Sequence, residues 1–314
     1  MTNATAAPPM RLALAGLALL VSTGAQAIVG GSGVAPNSAD SPWAGVGSLS
    51  INGGTYSGAL VSDRYVLTAA HVVSGRAPGS IQFSLNVVNV DGSAMQTFTA
   101  EAVFVYSGYT GTTAGADGVW HDDLALVRLA APVQGGIPSY ALSGAPLGMG
   151  ETITMVGYGA GGNGTDGATV PATPNVKRVG QNVVDQLLAD DDVTNGASEV
   201  FMFDFDGPTG NGVWGAGSLG ANLEAGFAGG DSGAPVFVQR DGTWLLAGIG
   251  AFNGSTGGSN VAFGAAGGGT VIAPYQDWIQ LQISAVPEGD TWALLLAGLA
   301  CAGFATSGRR RISV

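Results

Sequence analysis

From Ile81 to Ile249 the chain returns again and again to one pattern, an apolar or alternating run of strand length closed by glycine, proline, asparagine or aspartate. Ile81-Gln82-Phe83-Ser84-Leu85-Asn86-Val87 alternates apolar with polar side chains, as a half-buried strand does. Ala102 to Tyr106, Leu124 to Leu129, Thr152 to Gly157, Ala234 to Val238 and Trp244 to Ile249 continue it. Arg240-Asp241-Gly242-Thr243 joins the last two with Asp-Gly at its centre, the signature of a tight hairpin. With 54 glycines, 14 prolines and 10% charged residues, the chain suits many short strands and tight turns rather than exposed helices. One stretch departs: Ala273 to Ile283, with Tyr275, Trp278 and Ile279 on one face, predicts a short amphipathic helix.

Charge and cysteine content narrow the function. Between Ile28 and Val286 there are 6 basic and 20 acidic residues, a net charge of −14. Phosphate contacts need clustered Lys and Arg, so nucleic acid is not an expected partner. The single cysteine, Cys301, lies near the end, so the body has no disulfide and must gain its stability from packing or bound ions.

Gly229-Gly230-Asp231-Ser232-Gly233-Ala234-Pro235 sets a serine among small residues, ahead of the apolar run Val236-Phe237-Val238. Flanking glycines allow a tight bend that brings amide N–H groups toward an incoming carbonyl, which a nucleophile with an oxyanion hole requires. A serine hydroxyl also needs a base and a group to orient that base. Only two histidines are available, His71 and His121. His71 follows Leu67-Thr68-Ala69-Ala70, whose small residues leave room beside the ring. Asp122-Asp123 stands at the mouth of the strand Leu124 to Leu129, where a carboxylate can be buried and still accept a proton from an imidazole. His121 is expected to be a loop residue.

These stretches, with Ile28-Val29-Gly30-Gly31, make the sequence similar to the trypsin/chymotrypsin-like serine peptidases over roughly residues 28 to 283. The resemblance implies an all-β fold of two six-stranded antiparallel Greek-key barrels. The first would cover about 28–130, a linker 131–150, and the second barrel with its closing helix 151–283. It implies His71 as general base, Asp123 as its orienting carboxylate and Ser232 as nucleophile, the amides of Gly230 and Ser232 forming the oxyanion hole. In the resembled family a free amine at Ile28 would pair with Asp231 and fix that turn. Gly226, Phe227, Ala251, Phe252 and Asn253 would lie at the primary substrate pocket, with Glu224 nearby in sequence. No aspartate falls where a trypsin holds one, so small or apolar side chains are the expected preference. Tyr56, Val72 and Ala228 occupy places where relatives often carry cysteines.

Residues 1–27 read as a secretory signal: Arg11, the apolar stretch Leu12 to Val21, and the small-x-small site Ala25-Gln26-Ala27, with Met1 or Met10 as the start. Cleavage by signal peptidase after Ala27 would expose Ile28. Residues 284–314 change character, from Val286-Pro287-Glu288 through the apolar Trp292 to Phe304 to Arg309-Arg310-Arg311. They resemble the PEP-CTERM sorting tails of Gram-negative bacteria, with Gly289 where that motif's second proline belongs. The tail implies an exosortase as partner, or a plain transmembrane anchor, and in either case a domain exported to the cell surface.

No cofactor is expected, with one reservation. Phe201 to Gly207 reads first as an alternating strand with solvated aspartates, yet the spacing of Asp204 and Asp206, followed by Asn211, also offers calcium several hard oxygen ligands. The function classes that follow are a serine endopeptidase acting on protein or peptide, a non-catalytic surface or matrix-binding descendant of the same frame, and an esterase using the same three residues.

Overall fold

The computed structural model describes residues 28–285 except 34–40, 89–93, 112–117, 192–196, 211, 215–216, 221–222 and 255–260. The signal assigned to 1–27, the tail assigned to 284–314 from residue 286 onward, and Asn211 lie outside the described residues. Among the described residues no helix is long and apolar enough to cross a membrane.

Strands β1 (Ser32–Gly33), β2 (Val46–Ile51), β3 (Gly54–Leu60), β4 (Tyr65–Thr68), β5 (Ile81–Val88), β6 (Ala94–Val105) and β7 (Ala125–Leu129) come first, with the single turn of helix α1 (Ala70–Val73) after β4. Six of them close a barrel in the order β2-β3-β4-β7-β6-β5. Alternation places Leu49, Phe83 and Leu129 on one face of the barrel wall and Val46, Leu67 and Leu126 on the other, and all six are without solvent exposure. Gly47 is what admits Phe83, because a Cβ there would meet the ring at 2.4 Å.

The second half carries β8 (Thr152–Gly157), β9 (Gly161–Asn163), β10 (Gly167–Val170), β11 (Arg178–Val183), β12 (Gln186–Ala189), β13 (Ser198–Asp204), β14 (Pro235–Arg240), β15 (Thr243–Gly254) and β16 (Ala266–Val271). A second six-stranded barrel is the expectation; the structure instead has an eight-stranded antiparallel sheet ordered β1-β11-β8-β14-β15-β16-β13-β12. Its central six strands, β11 to β13, match the expected number, and the short strands β1 and β12 add themselves to the two open edges. The sheet curls so that β11 and β13 approach: the Asn182 side-chain amide donates to the carbonyls of Asp204 (2.7 Å) and Ala225 (2.9 Å). Strands β9 and β10 form a separate hairpin. The β14–β15 turn is built as its Asp-Gly predicts, with positive φ at Asp241 (50°) and Gly242 (77°).

The segment 131–150 stitches the halves together, Tyr140 N–H donating to Leu60 of β3 and Ser143 N–H to Leu246 of β15, each at 2.8 Å. Trp43, Tyr140, Phe237 and Trp244 fill the seam, with ring centroids 4.6 to 5.1 Å apart. The C-terminal helix α2 (Gln276–Ser284), entered through a 3-10 turn at Ala273–Tyr275, corrects one expectation. It does not close the second unit, because Tyr275 and Ile279 join the first barrel's core. Tyr106, just beyond β6, meets Tyr275 and Trp278 edge to face at 4.8 and 5.5 Å, and this aromatic contact draws the helix back across the seam.

Candidate active site

The turn after Ala69 ends β4 and starts α1, which presents His71 at the seam with its side chain 18% exposed. Asp123 precedes β7 and is fully buried. Its Oδ1 accepts the His71 backbone N–H at 2.8 Å, and its Oδ2 lies 2.6 Å from Nδ1 of the ring. Two bonds from one carboxylate fix both the histidine's backbone and its ring plane. Trp120 packs on the imidazole with centroids 5.0 Å apart. Burial, with Asp123 facing it, pushes the Tyr109 hydroxyl up to about 12, so that group stays neutral beside the pair.

Ser232 enters from the other half, on the turn before β14. Gly233 takes φ +81°, and a Cβ there would lie 2.1 Å from Thr68 Oγ1 and 2.2 Å from the Ser57 carbonyl, so only glycine lets the turn press against the first barrel. The Asp231, Gly233 and Ala234 amides donate to Ala228, Gly250 and Asp231. Among the described residues no acceptor engages the amides of Gly230 or Ser232. The Asp231 carboxylate points inward, accepting from Gly159 N–H (2.8 Å) and Ala228 N–H (3.0 Å). Burial pushes its pKa up to about 7, against the pull of those two bonds and of the nearby Arg178. Ile28 is completely buried, and Val29 exchanges backbone bonds with Gly226 at 3.0 and 2.9 Å, so this segment docks under the loop that leads to Ser232.

His71 and Ser232 border one cavity of about 260 Å³, together with Trp120, Phe227, Gly229 and Phe252. Ala251 and Asn253 also line it; Gly226 does not, being paired with Val29 and packed against Phe205 and Val261. Phe227 fills the floor: its ring lies 2.7 Å from where a Gly250 Cβ would stand, and Phe203 meets it edge to face at 5.3 Å. Glu224 turns away into a second cavity with Asn163, Phe205 and Phe263.

Three features were not legible beforehand. Ser57 on β3 donates its hydroxyl to the Gly230 carbonyl (3.1 Å) and accepts from Tyr158 N–H (3.0 Å), bracing the serine turn from the first barrel. His121 sits in a loop but is buried, its Nδ1 2.9 Å from Glu199 Oε2 on β13. Glu199 also accepts the Asp122 N–H at 2.6 Å, and the Tyr275 hydroxyl reaches Glu199 at 2.6 Å and Asp122 at 2.8 Å. Burial and those two carboxylates raise Tyr275 far above its ordinary value, which keeps its hydroxyl a donor to Glu199 and Asp122. The third is Asp204 and Asp206: they are buried, not solvated, because the chain after β13 folds over them.

A family model described as Trypsin matches residues 28–279. The complement C1s subcomponent of Sus scrofa is 42% identical over 80 residues, 25% of this chain and 12% of the relative. That of Bos taurus is 39% identical over 97 residues, 30% of this chain. The aligned stretch spans 12% of the length of these curated relatives.

Proposed function

The chain belongs to the trypsin family, and on that premise we propose that it is a serine endopeptidase in which Ser232, His71 and Asp123 hydrolyse peptide bonds through an acyl-enzyme. The observation that carries this is a juxtaposition: an imidazole held by a buried carboxylate borders the same cavity as a serine whose turn leaves two amides unengaged. With Nδ1 directed at Asp123, the other ring nitrogen is the proton acceptor. Ser232 Oγ attacks the scissile carbonyl carbon while its proton passes to His71, and Asp123 stabilises the imidazolium so formed. The carbonyl oxygen becomes an oxyanion facing the amides of Gly230 and Ser232. His71 returns the proton to the leaving amine, the C–N bond breaks, and an ester to Ser232 remains. Water then repeats the cycle, giving up a proton to His71 as it attacks and releasing the acid and the free serine.

The shallow, aromatic-floored cavity supports small or apolar side chains at the cleaved residue. An exported enzyme is the reading of residues 1–27, and cleavage after Ala27 would supply an Ile28 amine for Asp231. N-terminal sequencing of the mature protein tests that step, since a fully active form starting upstream of Ile28 contradicts it. The domain proposed is 28–283, with surface sorting by the tail at 284–314. Fluorophosphonate labelling followed by mass spectrometry tests the central proposal: the adduct is expected on Ser232, and a labelled residue elsewhere, or none in folded protein, overturns it.

A further inference from the structure

Four carboxylates lie buried together where β13 ends. Asp185, Asp204, Asp206 and Glu224 are at most 7% exposed, and none of the ion pairs among the described residues involves them. Asp204, Asp206 and Glu224 each bring an oxygen within 4.8 Å of the others. Gly212 marks the convergence, because a Cβ there would stand 2.5 Å from both Asp204 oxygens and from Asp206 Oδ1.

Part of this acceptor capacity holds the covering chain. Asp204 Oδ2 receives Trp214 N–H, Asp206 Oδ1 receives Gly212 N–H, Glu224 receives the N–H groups of Asp206 and Leu219, and Asp185 Oδ2 receives Asp204 N–H. Two buried oxygens remain without a partner among the described residues, Asp204 Oδ1 and Asp185 Oδ1. For amide-capping alone a neutral acceptor, such as asparagine, would be enough at each position, whereas four acids add mutual repulsion and two unsatisfied oxygens.

We propose that Asp204, Asp206 and Glu224 bind one calcium ion, with Asp185 as a flanking carboxylate that holds Asp204 in place. Oxygen-only, multiply charged donors favour a hard cation over zinc or copper. The ion would tie the end of β13 to Glu224, eight residues before Ser232, and so brace the segment that carries the cavity floor. In a chain whose body has no cysteine, such a cross-link takes the place of a disulfide.

Mature protein stripped with EGTA is titrated with CaCl₂ by calorimetry and followed by thermal melting, with MgCl₂ and ZnCl₂ alongside. One calcium per chain is expected, with the melting temperature rising by about 5–10 °C at a hundredfold excess over Kd. Asp204→Asn can keep the Trp214 bond while removing the charge. It should abolish the calcium response yet melt, without calcium, no lower than wild type. Terbium luminescence locates the ion independently: sensitisation should fall in Trp214→Phe while calcium stabilisation persists. No calcium binding by wild type up to about 10 mM, above the ~10⁻⁴–10⁻³ M typical of extracellular modules, overturns the proposal. So does a response that survives both Asp204→Asn and Glu224→Gln, which would put the ion elsewhere.

Discussion

The Ser57 hydroxyl reaches across the seam to the Gly230 carbonyl at 3.1 Å, and the same oxygen accepts the Tyr158 N–H at 3.0 Å. Ser57 is fully buried, so both bonds are made without competition from water. One residue of the first barrel thereby restrains the Gly230–Asp231 peptide, which lies between the Gly230 and Ser232 amides of the proposed oxyanion hole. In Ser57→Ala that restraint is gone and Tyr158 N–H loses its Ser57 acceptor. Steady-state kinetics should show kcat down about tenfold with a smaller change in KM. An unchanged kcat would mean that Gly233 and its neighbours hold the turn unaided.

Ser232→Ala removes the proposed nucleophile and should lower kcat by ~10⁶, with the fold intact by circular dichroism. Asp123→Asn retains the size of the buried side chain but offers Nδ1 a donor instead of an acceptor, which selects the wrong tautomer and should cost ~10⁴ in kcat. Equal activity of Asp123→Asn and wild type in a single-turnover assay would remove Asp123 from the mechanism.

Phe227 and Phe252 bound the cavity beside Ser232. Replacing Phe252 by glycine should widen the entrance and shift cleavage toward larger apolar residues, by about 10- to 100-fold in relative kcat/KM. A peptide-library screen reads this directly, and an unaltered profile would place specificity elsewhere.

Lys177 is buried, its ammonium contacting the Trp43 carbonyl and lying 6.0 Å from the Tyr158 ring centroid. Burial pulls its pKa down from 10.5 to about 7. The unfolded chain therefore holds the extra proton between pH 7 and 10.5, and by linkage stability rises with pH across that window while the full penalty applies below pH 7. Lys177→Met should flatten this rise and stabilise the protein at pH 7 by on the order of 1–4 kcal/mol, measured by denaturant titration at several pH values.

Much of the site could be read from the chain because its chemistry is local. Gly233 is required by a backbone turn, Asp123 follows from its place at the mouth of β7, and the Asp241-Gly242 hairpin from its two residues alone. The edge strands β1 and β12 were not foreseeable in this way, since two to four residues give periodicity nothing to repeat. Nor was the destination of α2, because an amphipathic pattern says that a face is buried without saying against what.

By itself, then, the sequence determined where the longer strands run, where they turn, and which three side chains are the candidates for the proposed acyl transfer; these depend on alternation, backbone freedom and functional-group identity, all properties of neighbours along the chain. Tertiary structure alone decided that Ser57 braces Gly230, that Glu199 of the second unit buttresses Asp122 and His121 of the first, and that Asp185, Asp204, Asp206 and Glu224 share one buried volume. Those contacts join residues 18 to 173 positions apart. Their energy lies in desolvation and charge proximity, which exist only once the chain has closed on itself.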